Sequence, residues 1–477
     1  MSGMAIFSNS RNSVRRWLLP AIVLAALGGA HVTGALLLPP SDGDLGWQHW
    51  LGAQILAGGL PHALGTESFT ATGAPWVPQE WLFCVLLSAA AGHGVGWLFA
   101  LGIGACAVLA LGCVALRCAR YGAHPAATAF VLVLVYLAMS QSFGVRVQVV
   151  GWAMLAAFLL ALELPGRWRW TAVAVAATWA NWHASAVLAP LLGIAAAAGS
   201  LSQGDRRAAA RDAMLALCCA LAVCATPLGT RLPLYAVELA HSPIRHWIRE
   251  WRPTAFGDSA FIFGALPLIV LAALAAPRTS RRAVALAAPF VYLAFVALRN
   301  VPLAGIACAP LAAVALTALL PSLASFRPIR NRAGAIGAIA AAFLTVVTAT
   351  AIGARGVSDD RPLAAIGQLA QLPGPHRLLC EDFAWCGPAV DTGRISVFVD
   401  GRADPYPAMV WAQYDTIIHV RSGWRTIAQR YGLDAMLVRR DGDLDRAARR
   451  AGWRTLRDAP IRLLVSQVPH HPRRRSS

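Results

Sequence analysis

The stretch WLLPAIVLAALGGAHVTGALLL, residues 17–38, carries no ionisable side chain except His31 and follows arginines at 11, 15 and 16. At 1.5 Å per residue an α-helix of this length covers about 33 Å, enough for a hydrocarbon core of about 30 Å. Such a basic start before an apolar run also resembles a signal peptide. The run is long enough to span, however, and no small-residue cleavage site follows, so it reads as a retained first helix. Working outward from it, similar runs recur to residue 352. Of the 477 residues 57% are apolar and 13% charged, with a mean hydropathy of +0.55. No soluble core of this size hides that much apolar surface, so the chain reads as a polytopic membrane protein.

The formal charge is +18, and every one of the 41 basic residues is arginine. They cluster in short runs between apolar stretches, which is the positive-inside pattern rather than a nucleic-acid surface. Eleven spans satisfy it: 17–38, 96–116, 126–139, 149–162, 171–180, 185–198, 213–226, 260–275, 283–297, 302–320 and 333–352. The basic loops at 117–120, 167–169, 206–211, 278–282 and 327–332 then share the side of the cytoplasmic N-terminus, residues 1–16. The transmembrane domain covers 17–353, with an external first loop over 39–95. Parity requires that residues 80–91 not be a crossing, so that segment reads as an interfacial or re-entrant helix.

After residue 352 the composition turns to Asp, Arg, Pro and Gly, and residues 358–468 read as a small extracytoplasmic α/β domain, followed by a disordered tail at 469–477. Strands are expected at 377–380, 396–399, 435–439 and 461–466, and helices at 408–419, 423–431 and 444–451. Eight cysteines lie in or beside apolar runs and behave as small hydrophobes. Cys380 and Cys386 sit together in the soluble part, where a disulfide and two free thiols are both open readings.

With the path laid, the polar residues near membrane depth gather on the outer side. Asp42, Asp44, His49, Glu67 and Glu80 lie in the first external segment, and Arg146 and Gln148 in the second. Asn181 and His183 lie in the third, Arg245, His246, Arg249, Glu250 and Arg252 in the fourth, and Arg299 and Asn300 in the fifth. Interfacial anchoring and helix capping account for many of these singly. A one-sided gathering of ionisable groups, which are costly near lipid unless paired or hydrated, points instead to a polar cavity opening outward. Asp44, within the aromatic-rich DGDLGWQHW at 42–50, is the strongest functional candidate. The tryptophans at 47, 50, 76 and 81 read as an interfacial belt. The segment VDGRAD at 399–404 is a turn by composition, with recognition at a cavity mouth as the alternative.

Several segments together resemble a broad group of bacterial multispan proteins similar to the GT-C superfamily of glycosyltransferases. These are Asp42-x-Asp44-Leu-x-Trp47-x-His49, Gly58-Gly59-x-Pro61, Gln79-Glu80-Trp81, Arg146-x-Gln148, Trp179-Ala-Asn181-x-His183, Glu250-Trp251, Arg299-Asn300-Val-Pro302 and Asp400-Gly401-Arg402. The resemblance covers nearly the whole chain. It implies a GT-C-like helical membrane domain and transfer of a sugar from a polyprenyl-phosphate carrier to an extracytoplasmic glycan, lipid or protein acceptor.

On that resemblance the catalytic acids are Asp44 and Glu80, with Asp44 taking the acceptor's proton or holding a divalent metal; no other cofactor is implied. His49, Arg146, Gln148, Asn181, His183, Arg249, Glu250 and Arg299 are the implied substrate-binding residues. Cations are required to neutralise the leaving phosphate, and arginine suits bidentate phosphate binding. The chain departs from the pattern in having Asp-Gly-Asp rather than adjacent acids, and Val147 between Arg146 and Gln148. The resemblance places the protein in the inner membrane of a bacterium. A lipid-binding or transport protein without catalysis is the competing reading, although no internal repeat of the kind transporters carry is evident.

Overall fold

The computed structural model describes residues 17–37, 43–140, 144–242, 247–320 and 362–466, with isolated positions 244, 340, 343 and 344. The expected span at 333–352, the basic loop at 327–332, the cytoplasmic N-terminus, Asp42, Arg245, His246 and the tail at 469–477 lie outside the described residues or nearly so. The chain is mostly helical, with one small C-terminal sheet.

A helix lies at each of the other ten expected spans. In chain order the helices are α1 Leu18–Leu37, α2 Asp44–Gly58, α3 Trp81–Gly92, α4 Gly96–Arg120, α5 Pro125–Met139, α6 Val147–Glu163 and α7 Thr171–Trp182. They continue with α8 Leu188–Ser202, α9 Arg206–Val223, α10 Arg231–His241, α11 Leu266–Ala275, α12 Arg281–Val296 and α13 Val301–Leu319. Among the described residues, five helical stretches are long and apolar enough to cross a membrane: α1, α4, Ala184–Ser202, Phe261–Arg278 and Leu298–Leu319. The protein is a membrane protein. α3 and α7 have 12 residues each and extend about 18 Å, shorter than the hydrocarbon core.

The chain divides into two compact units. One holds residues 1–38, 97–236 and 248–357; the other holds 39–96, 237–247 and 358–477. The segment 39–96 thus belongs with the C-terminal sheet, although the expected spans at 17–38 and 96–116 flank it in sequence.

In the membrane unit α13 is the central helix, buried along most of its length and packed against α5, α6, α11 and α12. Small residues let the backbones approach, as membrane helices require in the absence of a hydrophobic drive between them. On α8 a methyl group at Gly193 would stand 2.8 Å from the Ala216 Cα of α9. A π-helical turn, Phe261–Ala265, opens the stretch that continues as α11.

In the second unit the remaining helices are α14 Leu363–Ala370, α15 Gly387–Val390, α16 Ala408–Ile418, α17 Trp424–Tyr431 and α18 Asp443–Arg450. The strands are β1 His376–Cys380, β2 Ile395–Val397, β3 Ala435–Arg439, β4 Arg454–Arg457 and β5 Ile461–Val465, in the order β2-β1-β3-β5-β4. β2, β1 and β3 run parallel, and β5 and β4 are antiparallel additions. The expected strands and helices are all present. β4, α14 and α15 were not expected; β4 is a polar edge strand, Arg-Thr-Leu-Arg, with neither end residue buried, and so lacks an apolar alternation. The open edge of β2 is covered by the first loop. Ser68 bridges Val397 in parallel, the Val397 N–H donates to the Glu67 carbonyl at 2.8 Å, and the Ser396 hydroxyl donates to the Thr66 carbonyl. Cys380 and Cys386 are joined in a disulfide, closing the alternative of two free thiols, and the other eight cysteines are free.

Candidate functional site

In the second unit, Gly43 caps α2 and Asp44 opens its first turn, where a carboxylate is favoured by the helix dipole. The Trp47 indole N–H donates to Asp44 Oδ1 at 2.9 Å. The Asp-Gly-Arg turn backs directly onto this carboxylate: a methyl at Gly401 would lie 1.6 Å from Asp44 Oδ1. Any side chain there would push the Asp44 carboxylate from its place. The N-terminus of α2 and α15 meet with similar closeness, a methyl at Gly387 falling 1.9 Å from the Gly43 carbonyl oxygen.

Glu80 caps α3 and is 8% exposed. The amides of Gln48 and Gln79 donate to its two oxygens at 2.6 and 2.7 Å, so Glu80 ties α3 to α2. Cys84 on α3 lies within the field of both acids, and burial, then Glu80, then Asp44 push its thiol well up. His49, on the same helix as Asp44, pairs through Nδ1 with Asp391 at 2.8 Å.

Within the turn at 399–404, Val399, Asp400, Arg402 and Ala403 are buried. Arg402 and Asp400 have fully buried side chains 2.6 Å apart, and Arg402 reaches Glu67 of the first loop at 2.8 Å. Its guanidinium also lies 5.2 and 5.5 Å from the rings of Trp76 and Trp50. Burial opposes its charge, but Asp400, Tyr406 and Glu67 outweigh that and hold its pKa above the ordinary arginine value. Arg402 is therefore an internal clamp between loop and sheet. Beside it a cavity of about 960 Å³ is lined by Trp50, Gln54, Glu67, Arg394, Ile395 and Ser396, among others.

The other expected residues belong to the membrane unit, where four converge. Arg146 caps α6 and donates to Glu250 at 2.8 Å. Arg299 lies 4.5 Å from the ring of Trp251, and its charge acts on both Glu250 and His183. Burial pushes the Glu250 pKa up, but Arg146 and Arg299 prevail and hold it below its ordinary value. His183 ends α7; burial and then Arg299 push its pKa down to about 3, so the imidazole is neutral. Its Nδ1 accepts the Ser185 backbone N–H at 3.0 Å, which puts the ring proton on Nε2. The cluster thus sets two guanidiniums and a neutral imidazole against one carboxylate.

Gln148 lies two residues after Arg146, and its Oε1 is buried without a hydrogen-bond partner among the described residues. Asn181 donates to the Ala177 and Ala225 carbonyls and braces the end of α7. Arg249 is exposed, near the Arg252–Asp258 ion pair. Ser185, Asp391 and Gln48 were not singled out from sequence. Ser185 follows His183 by two positions, a spacing at which side chain and backbone pair locally. Asp391 stands 342 residues from His49 and leaves no local signal.

No group of three His, Cys, Asp or Glu able to hold a metal occurs among the described residues.

No known family model matches the chain, and no curated protein sequence matches it. Solved structures do. The oligosaccharyltransferase AglB of Archaeoglobus fulgidus, in complex with an inhibitory peptide and a dolichol-phosphate, superposes with a TM-score of 0.60 at 12% identity, covering 90% of this chain and 70% of that one. The same enzyme tethered to an acceptor peptide gives 0.61 at 12% identity, over 89% and 69%. ArnT of Cupriavidus metallidurans, bound to undecaprenyl phosphate, gives 0.55 at 14% identity, over 97% and 99%. The fold is shared with these structures, and the helical membrane fold with a small C-terminal sheet domain expected from the sequence is the fold found.

Proposed function

We propose that the chain is a membrane glycosyltransferase that moves a sugar from a polyprenyl-phosphate carrier to an extracytoplasmic acceptor. The observation that carries this reading is the excess of cation in the Arg146–Glu250–Arg299 cluster, on a fold shared with AglB and ArnT. A phosphate leaving group needs such an excess. In this reading Asp44 accepts the proton of the acceptor's O–H or N–H as that atom bonds to the anomeric carbon. The bond from anomeric carbon to phosphate oxygen breaks, and Arg299 and Arg146 meet the charge on the released polyprenyl phosphate. His183, neutral and protonated on Nε2, donates a hydrogen bond without adding charge. Glu80 holds α2 in position for Asp44, and the cavity beside Trp50 and Glu67 offers room for part of an acceptor.

The orientation that fits this reading has the N-terminus cytoplasmic and the C-terminal domain outside a bacterial inner membrane. A disulfide at Cys380–Cys386 supports an oxidising compartment for that domain. The test uses membranes carrying Asp44→Asn or Asp44→Ala, with the lipid co-purifying with the protein identified by mass spectrometry. Loss of sugar transfer in both variants, with a polyprenyl-phosphosugar retained, is expected. Unchanged transfer in both variants removes Asp44 from the chemistry, and a different bound lipid favours the lipid-binding or transport alternative.

A further inference from the structure

A second polar cluster stands at the other end of the same membrane helices. Arg146 and His183 lie at one end of α6 and α7; Glu163 ends α6, and the turn Gly166–Trp170 leads into α7 at the opposite end. There Asp212 of α9 is fully buried, and both its oxygens are already occupied. Arg282 of α12 grips them at 2.7 and 3.0 Å, and the Ser200 hydroxyl donates at 3.0 Å. Arg169 reaches the same carboxylate only at 4.0 Å, with its side chain 14% exposed. Its Nε is buried and has no hydrogen-bond partner among the described residues. Burial, Arg211 and Arg282 together push its pKa below the ordinary arginine value. Arg169 and Arg282 thus share one satisfied carboxylate, with the Arg211 charge acting on Arg169 from beside them, and a nearly buried cation so poorly matched is costly.

The flanking residues say what supplies the missing anion. Trp168 and Trp170, on either side of Arg169, are 59% and 42% exposed. Paired tryptophans on the outside of a membrane helix terminus sit at headgroup level. A phosphate there brings several acceptor oxygens and the negative charge that the guanidiniums lack.

We infer that Arg169, Arg211 and Arg282 form a binding site for the phosphate of an anionic membrane lipid. The site lies wholly within the membrane unit, shares no residue with the proposed transfer chemistry, and does not depend on it. Basic pockets between membrane helices recognise anionic headgroups by this chemistry.

The experiment takes the full chain reconstituted in nanodiscs of phosphatidylcholine with and without phosphatidylglycerol. Retained lipid is read by native mass spectrometry, and thermal unfolding is followed in the same samples and in detergent with inorganic phosphate. The wild type should hold phosphatidylglycerol preferentially, and Arg169→Gln should weaken that retention by about fivefold. Arg278→Gln, an exposed arginine outside the cluster, should leave it unchanged. If Arg169→Gln does not fold, Arg211→Gln on the exposed face of α9 carries the same expectation. Equal losses in Arg169→Gln and Arg278→Gln, or no preference for phosphatidylglycerol, overturn the site. Stabilisation by inorganic phosphate equal to that by the lipid overturns the lipid as its source.

Discussion

Arg146 and Glu250, 104 residues apart in sequence, meet at 2.8 Å at the end of α6. Glu250 is held below its ordinary value of 4.5, so its folded state favours the charged form. The stabilisation is complete above about pH 4.5 and is lost as pH falls through the lowered folded value. Glu250→Gln should cost on the order of 1 kcal/mol at neutral pH, modest because the pair is partly solvated, and should abolish the difference in Tm between neutral and acid conditions that this pair contributes. Thermal unfolding of both proteins across that range measures it.

His183 makes the opposite kind of prediction. Its folded pKa lies near 3 against 6.5 for the free side chain, so folding expels a proton. The folded state has no penalty from it above about pH 6.5 and becomes progressively less stable as pH falls below that toward 3. Within the proposed reaction the imidazole does not titrate between pH 5 and 8, so wild type and His183→Gln should show pH–rate profiles of the same shape with a lower kcat/KM in the variant. A limb near pH 6 present in the wild type and missing in His183→Gln contradicts the neutral assignment.

Gly401 sets the position of Asp44. Gly401→Ala forces a methyl onto the carboxylate, so transfer should fall by at least about tenfold, as displacements of an ångström at reacting groups do, while the disulfide-bonded domain stays folded. Gly367→Ala, within α14 with open space around it, is the matched control and should leave transfer unchanged. Circular dichroism on both variants separates displacement from unfolding.

Arg402 is the clamp between the first loop and the sheet. Arg402→Ala leaves the Asp400 carboxylate buried without its countercharge and should cost about 3–5 kcal/mol, seen as a lower Tm and as new proteolytic cleavage within residues 60–80. Arg402→Lys should recover only part of the loss, because one ammonium cannot reproduce the forked grip on Asp400 and the reach to Glu67. Full recovery by lysine would mean that charge alone holds the loop.

Hydropathy and helix length are local properties, and so the membrane class, ten helices at the expected spans and the strands of the C-terminal domain were legible in the residues themselves. The arginine loops were legible for the same reason, and both ends of the membrane unit turn out to carry polar clusters. Tertiary structure alone decided that the loop carrying Glu67 completes the edge of β2, that Asp400-Gly401-Arg402 is a buried clamp rather than an exposed recognition turn, and that Glu80 is bound by Gln48. It also decided that Arg146, His183, Glu250 and Arg299 converge, and that Arg169 lacks a full partner. Each of these depends on side chains brought together across tens to hundreds of residues, and a pairing at that separation leaves no periodicity in the chain from which to read it.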